Sequence, residues 1–321
     1  IAARALGIQT PGATVNRYCA SGLETIAIAT AKIRAGQADC IIAGGTESMS
    51  LVPSSGWKTV PAYSIASDEP DYYLNMGLTA EAVSKEFNVS REQQDEYSYH
   101  SHQKAIHAIQ NGYFKEGILP INVEEVYLDA KNKRQVKQNV IDTDEGPRSD
   151  TSLEALAKLR PAFAANCTVT AGNSSQMSDG AAFVIVMGEK MMKELELKPL
   201  GRLVACASAG VHPRIMGIGP VAAIPKALRQ ADMGLNEIDL IELNEAFAAQ
   251  TIAVIREAKL NPDIVNINGG AIALGHPLGC TGAKLTIQVL HDLNRLNKCY
   301  GLVTACVGGG QGIAGIIEKC F

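Results

Sequence analysis

Long apolar runs are missing from this chain of 321 residues: none approaches the roughly 20 residues that a bilayer-crossing helix requires. No membrane span is therefore expected. Runs of Lys or Arg are missing too, and the formal net charge is -4. Nucleic acid or an anionic membrane would find no basic stripe to bind, so neither is expected as a partner. The eight cysteines include no C-x-x-C pair. A structural zinc site needs such paired spacing, so no metal site is expected. A secreted disulfide scaffold would be shorter and denser in cysteine. Reduced cysteines in a reducing compartment follow, and with them a cytoplasmic location. The first residue is Ile1 rather than Met, which leaves organelle targeting open.

What is present is apolar content, 46% of residues, spread over a length that suits two or three domains. Residues 21–35 have helical spacing, and "DCIIAGGTES" (39–48) reads as a short strand ending in glycines. Residues 50–75 are rich in Ser, Pro, Asp and Tyr with little periodicity. Residues 78–87 and 91–111 read as polar amphipathic helices, 123–141 as an exposed hairpin, and 151–163 as a helix closed by Pro161. "AAFVIVMG" predicts a buried strand. Strands and helices then alternate: "RLVACASAG", helix 220–232, "IDLIELN", helix 246–258, "IVNINGG", helix 279–296, "YGLVTACVGGG". Such alternation implies an α/β layered sheet, with the polar middle, about 49 to 177, as an excursion from it. A weak internal repeat fits this. Cys19 opens a helix and Gly44 follows a strand; Cys280 opens a helix and Ala305 ends a strand at the same interval.

Four stretches carry candidate chemistry. In "NRYCASGLETI", Cys19 lies just before a helical run, where unpaired N–H groups favour a thiolate. Its bland alternative is an inert small residue at a junction. In "NGGAIALGHPLGCTGA", His276 lies between Gly275 and Pro277, off any helix or strand face, and is either a turn residue or a reachable base. In "CVGGGQG", Cys306 ends a strand, and the glycines form either an anion-binding concavity or a tight turn. In "ELNEAFA", Asn244 and Glu245 follow a strand, and the bland reading is a helix N-cap with an acidic first turn. All four fall at junctions where an open α/β sheet forms its ligand crevice. Together they hold a nucleophile, an imidazole, a second thiol and oxyanion donors, a set suited to acyl transfer through a thioester.

These motifs, with "GGTESMS", "MGLTAE", "LRPAF…TVTAGNSSQMSDGAA" and "CVGGGQGIAGI", resemble the thiolase family in its own order from end to end. The resemblance implies a layered fold of two similar βαβαβ-type halves with an inserted loop domain. The N-terminal half would be residues 1–48 and 178–198, the inserted CoA-binding loop domain 49–177, and the C-terminal half 199–321. Family members carry a longer segment before the cysteine motif, so the N-terminal half is expected to lack its first strands. The resemblance makes Cys19 the acylated nucleophile and His276 its base, which then helps bind the thioester oxyanion. Cys306 becomes the acid/base at the acetyl-CoA α-carbon. Asn244 would hold a water in one oxyanion hole, and the N–H groups of Cys19 and Gly308 would form the other. Met76, Arg148, Phe163, Ala171 and Ser175 match positions along a coenzyme A tunnel, with Phe247 near its inner end. Coenzyme A is then a co-substrate with no tightly bound cofactor, and the assembly a homodimer or dimer of dimers.

Acetoacetyl-specific relatives usually have His before the "MG" of the insertion; here the position is Asn75. That favours a degradative 3-ketoacyl-CoA thiolase. A ketoacyl synthase would carry two histidines at the positions of His276 and Cys306, and Cys306 argues against it. Two alternatives stay open: an acetyl-CoA acetyltransferase working in the synthetic direction, and a non-catalytic CoA- or lipid-binding relative or inactive truncated product.

Overall fold

A computed structural model describes residues 2–53 and 56–320. The N-terminal region holds α1 (Ala2–Leu6), α2 (Ser21–Arg34) and β1 (Cys40–Ser48). The polar middle contributes α3 (Tyr63–Asp68), α4 (Met76–Glu86), α5 (Arg91–Gln110), a hairpin of β2 (Ile121–Leu128) and β3 (Arg134–Ile141), and α6 (Leu153–Ala157). The chain returns through β4 (Asp179–Met187), antiparallel to β1, and α7 (Glu189–Glu194). The remainder runs β5 (Gly201–Gly210), α8 (Gly219–Ala231), β6 (Leu240–Leu243), α9 (Ala248–Glu257), α10 (Ala271–Leu274), α11 (Leu278–Arg295), β7 (Tyr300–Val307) and β8 (Gln311–Lys319). Its sheet has the order β5-β8-β7-β6, with β6 and β7 parallel and the other pairs antiparallel. Among the described residues, no helix is long and apolar enough to cross a membrane.

This sheet is buried on both faces, so β7 and β8 read as nearly continuous apolar runs. Val303, Ala305, Ile313 and Ile317 point one way, onto Leu285, Val289 and Leu293 of α11. Leu302, Ala314 and Ile316 point the other way, onto Ile224, Ala227 and Leu228 of α8. Helix α11 also crosses α2 at very short range. A Cβ built on Gly22 would lie 2.5 Å from the Ala283 amide nitrogen, and one on Gly282 would collide with the Leu23 backbone. Only glycine permits that approach.

Local signals set several boundaries. Asn75 caps α4 through its Oδ1, which accepts from the Gly77 amide at 2.8 Å. Ser90 and Gln93 form a capping box at the start of α5.

Five expectations change. "IVNINGG" is not a strand: Val265 makes one parallel bridge to Ile241. Asn266 then turns left-handed (φ +46°), and its amide replaces strand pairing by bonding both backbone groups of Leu243. β4 is not buried on both faces. Ala182, Val184 and Val186 pack inward, while Phe183 and Ile185 are 53% and 63% exposed. The helix expected over 151–163 stops at Ala157, because Arg91 takes the carbonyls of Leu156 and Leu159. β1 continues through its glycines instead of ending at them. The triple glycine is a hairpin turn, with Gly309 and Gly310 at φ +79° and +85°, and it leads into the unanticipated β8.

Candidate active site

Cys19 lies in a single 3-10 turn, Tyr18–Ala20, feeding α2. The residue before it, Tyr18, is left-handed at φ +47°, an uncommon state for a bulky side chain. Ser21 holds the turn: its Oγ accepts from the Arg17 amide at 2.9 Å and donates to the Tyr18 carbonyl at 2.7 Å. Arg17 in turn reaches Glu24 at 2.8 Å and Ser208 at 2.6 Å. The strained turn therefore rests on both halves of the molecule.

The helix start was expected to lower the Cys19 thiol. Burial prevails and pushes it up to about 11, while the N–H groups of Gly308 and of Cys19 itself pull the other way. Both amides therefore favour the thiolate. Cys306, at the end of β7, is fully buried among Ala80, Val169, Met216, Ala246 and Phe247. Its thiol is driven well above the ordinary value by that burial and by the charge Cys19 would carry.

The register of β6 on β7 pairs Leu243 with Thr304, and the Asn244 amide donates to the Thr304 carbonyl at 2.9 Å. Asn244 and Cys306 thus leave the same end of the sheet. Asn244 is not a helix N-cap, since α9 starts at Ala248. Its Nδ2 lies 3.3 Å from His276 Nε2, and its buried Oδ1 has no partner. His276 Nδ1 lies 2.6 Å from Thr281 Oγ1. Burial lowers the imidazole to about 4, so it is neutral at neutral pH.

Around this cluster, the insertion supplies a wall. Met76 Sδ would meet a Cβ on Gly308 at 3.6 Å, so Met76 closes over the glycine turn. Phe163 covers Gly77 and packs edge-to-face on Phe247, with ring centroids 6.1 Å apart. The Ser175 amide donates to the Ala246 carbonyl at 3.0 Å. Ala171 and Arg148 are exposed, and the Arg148 amide donates to His102 Nδ1 at 3.2 Å.

Four contributors were not assigned their place by the sequence. Glu245 is a buried carboxylate, not an exposed first-turn acid. It accepts from Tyr97 (2.9 Å), Ser101 (2.7 Å), Asn266 (2.8 Å) and the Ile272 amide (3.2 Å), tying α5 to the segment that presents His276. Glu47 accepts from the Gly279 amide at 3.0 Å and joins β1 to the start of α11. Thr281 stands five positions after His276, and that spacing was its one visible signal. Tyr18 carried none.

Two buried, coupled thiols and a neutral imidazole paired with Asn244 at the sheet end are the equipment of an α/β enzyme of the acyl-transfer class. The pattern described as "Thiolase, N-terminal domain" matches residues 1–190, and "Thiolase, C-terminal domain" matches 197–319. The chain is 51% identical over 315 residues to a 3-ketoacyl-CoA thiolase of Bacillus subtilis (strain 168), covering 98% of this chain and 81% of that one. It is 44% identical over 321 residues to an acetyl-CoA acetyltransferase of Escherichia coli (strain K12), covering 96% and 79%. A solved structure of human mitochondrial 3-ketoacyl-CoA thiolase in complex with CoA superposes with a TM-score of 0.87 at 39% identity, covering 99% of this chain and 82% of that one. The chain belongs to the thiolase family and is an acyltransferase.

Proposed function

We propose that the chain cleaves 3-ketoacyl-CoA with coenzyme A to give acetyl-CoA and a shortened acyl-CoA. The observation that carries this reading is the pair of buried, electrostatically coupled thiols Cys19 and Cys306, with Asn244, which contacts His276, leaving the same end of the sheet as Cys306. His276 takes the Cys19 proton, and the sulfur attacks the 3-keto carbon. The Cα–Cβ bond breaks and its electron pair leaves as the acetyl-CoA enolate. Cys306 gives its proton to the enolate carbon. The acyl group stays on Cys19 until the sulfur of coenzyme A attacks the thioester. Cys306 recovers its proton from that incoming thiol, and the Cys19 thiolate leaves and takes back the proton held by His276. Asn244, through its free Oδ1, is suited to hold a water beside the imidazole. The amides of Cys19 and Gly308 are suited to the thioester oxyanion.

Coenzyme A is the co-substrate in this reading, lying along Met76, Phe163, Ser175 and Phe247 with Arg148 and Ala171 further out. The similarity to a CoA-bound thiolase structure supports it. Asn75, and 51% identity to a protein named 3-ketoacyl-CoA thiolase, favour the degradative direction. The similarity to an acetyl-CoA acetyltransferase keeps the synthetic direction as the second reading. The same proposal includes a homodimer or dimer of dimers and a cytoplasmic location. Thiolysis of acetoacetyl-CoA and of a longer 3-ketoacyl-CoA, compared by kcat/KM, tests it. A clear preference for the longer substrate is expected. Turnover of acetoacetyl-CoA alone would favour the second reading, and turnover of neither would reject both.

A further inference from the structure

We infer that His102 is a positioning residue that sets Arg148 for the phosphates of coenzyme A, an inference resting on coenzyme A lying past Arg148. His102 is a buried side chain of α5, 4% exposed, with no part in the acyl-transfer steps. Its Nδ1 lies 3.2 Å from the Arg148 amide nitrogen. A backbone N–H only donates, so Nδ1 is the acceptor and the neutral ring carries its proton on Nε2. The Arg148 side chain is exposed, and among the described residues no hydrogen bond or ion pair engages its guanidinium. A guanidinium anchored through its backbone and open at its tip is suited to a phosphate group.

The segment that carries Arg148 is held from two sides. Gln176 Nε2 lies 3.0 Å from the Gly146 carbonyl and 3.2 Å from those of Ile272 and Ala273. A Cβ on Gly146 would lie 2.3 Å from the Ala273 carbonyl oxygen, so only glycine permits that approach. Pro147 has no N–H to offer. The next backbone donor is the Arg148 amide, and His102 receives it. That turn of α5 is itself fixed, since Ser101 bonds Glu245 at 2.7 Å and the Gly270 amide at 3.1 Å. Burial first, and then the Arg148 charge, hold the His102 imidazole below its ordinary value, with Asp150 opposing them. The ring is therefore uncharged at neutral pH, and Nδ1 keeps its lone pair for the amide.

The test is a double-mutant cycle read by calorimetric binding of coenzyme A, with kcat for thiolysis at saturating coenzyme A measured alongside. His102→Phe keeps a ring and removes the acceptor; it should weaken coenzyme A binding about tenfold and leave kcat within about twofold of the parent. Arg148→Ala should weaken binding at least as much. The double variant should bind no worse than Arg148→Ala alone, because His102 acts through Arg148. His102→Asn, whose Oδ1 stands where Nδ1 stood, should bind within about threefold of the parent. Parent-like binding in His102→Phe while Arg148→Ala is weakened overturns the inference, as do losses that multiply in the double variant. Parent-like binding in Arg148→Ala would reject the placing of coenzyme A, and the inference with it. Absence of thiolysis with the binding pattern intact would instead reject the chemistry and leave the positioning result standing. Nitrogen-15 NMR of His102 in the resting enzyme decides if the phenylalanine variant fails to fold: a proton on Nε2 alone supports the inference, and a proton on Nδ1 overturns it.

Discussion

Burial, more than any paired charge, sets the resting protonation of Cys19 and His276. The thiol is held up to about 11 and the imidazole down to about 4, so the resting pair is thiol and neutral imidazole, not thiolate and imidazolium. In the proposed mechanism the reactive thiolate then forms during attack, as His276 takes the proton. The base form of His276 persists well below the ordinary imidazole value of 6.5. The acid limb of the acylation rate should therefore lie near pH 4 to 5 rather than near 6.5. Single-turnover acylation across that range checks this, and a limb at 6.5 or above would show an ion-paired resting state. Cys306 supports a second expectation. Its thiol is fully buried beside Cys19, suited to moving a carbon-bound proton. Cys306→Ala should abolish exchange of the acetyl-CoA methyl protons with deuterated water and thiolysis with it, while some acyl transfer to Cys19 survives. Exchange at the parent rate in that variant, followed by NMR of the methyl signal, removes Cys306 from the mechanism.

At the scale of elements, the two helices that begin beside the site meet through glycine. Gly22 and Gly282 bring α2 and α11 so close that either Cβ would strike backbone, which cannot swing aside. Gly282→Ala should therefore cost about 1–3 kcal/mol, the usual range for overpacking, and lower the melting temperature. Gly188→Ala is the control: its Cβ would sit 3.5 Å from Ile33 Cγ2, an ordinary contact, and should change little. Calorimetry on both variants checks this; equal melting temperatures would mean that the crossing relaxes freely. The helices α2, α5, α8 and α11 were legible because each buries one stripe and starts or stops on local signals. β8 was not, because its glycines mask a strand that is apolar on both faces. The false strand at 264–270 had strand composition, but the Asn266 side chain does there what backbone pairing would have done. Such a substitution of side chain for backbone leaves no periodic trace.

Across the whole molecule, the site was legible as four separate stretches, because nucleophile, base and oxyanion donors need recognisable residue types at strand ends. Their mutual geometry was not, since it depends on the β6–β7 register, on a left-handed Tyr18 and on the buried Glu245 bonds. The same buried framework links stability to pH. Glu242 lies inside β6 with its Oε2 unpartnered, and burial raises its carboxyl to about 8. Asp292 and Glu245 add to the rise, while Lys284 and Lys104 oppose it. In the unfolded chain the same carboxyl would titrate near 4.5. The folded state thus holds this proton more tightly, so its contribution is complete below pH 4.5 and is lost as pH rises through about 8. His276 acts in the opposite sense. Its folded value is depressed, so burying it neutral stabilises above 6.5, and that contribution is lost as pH falls toward 4. The two dependences oppose each other between pH 4.5 and 6.5, so their joint contribution is greatest in that mildly acidic window and falls on either side of it. Glu242→Gln removes the titration while keeping the shape. Between pH 5 and 8, where the unfolded carboxyl is ionised and the folded one is not, the melting temperature of the parent should fall relative to that of the variant. Above about pH 8, where both states are ionised, the two should respond to pH alike. Melting curves that run parallel from pH 5 to 9 would mean that Glu242 is ionised at neutral pH in the folded protein, with an unseen donor at its Oε2.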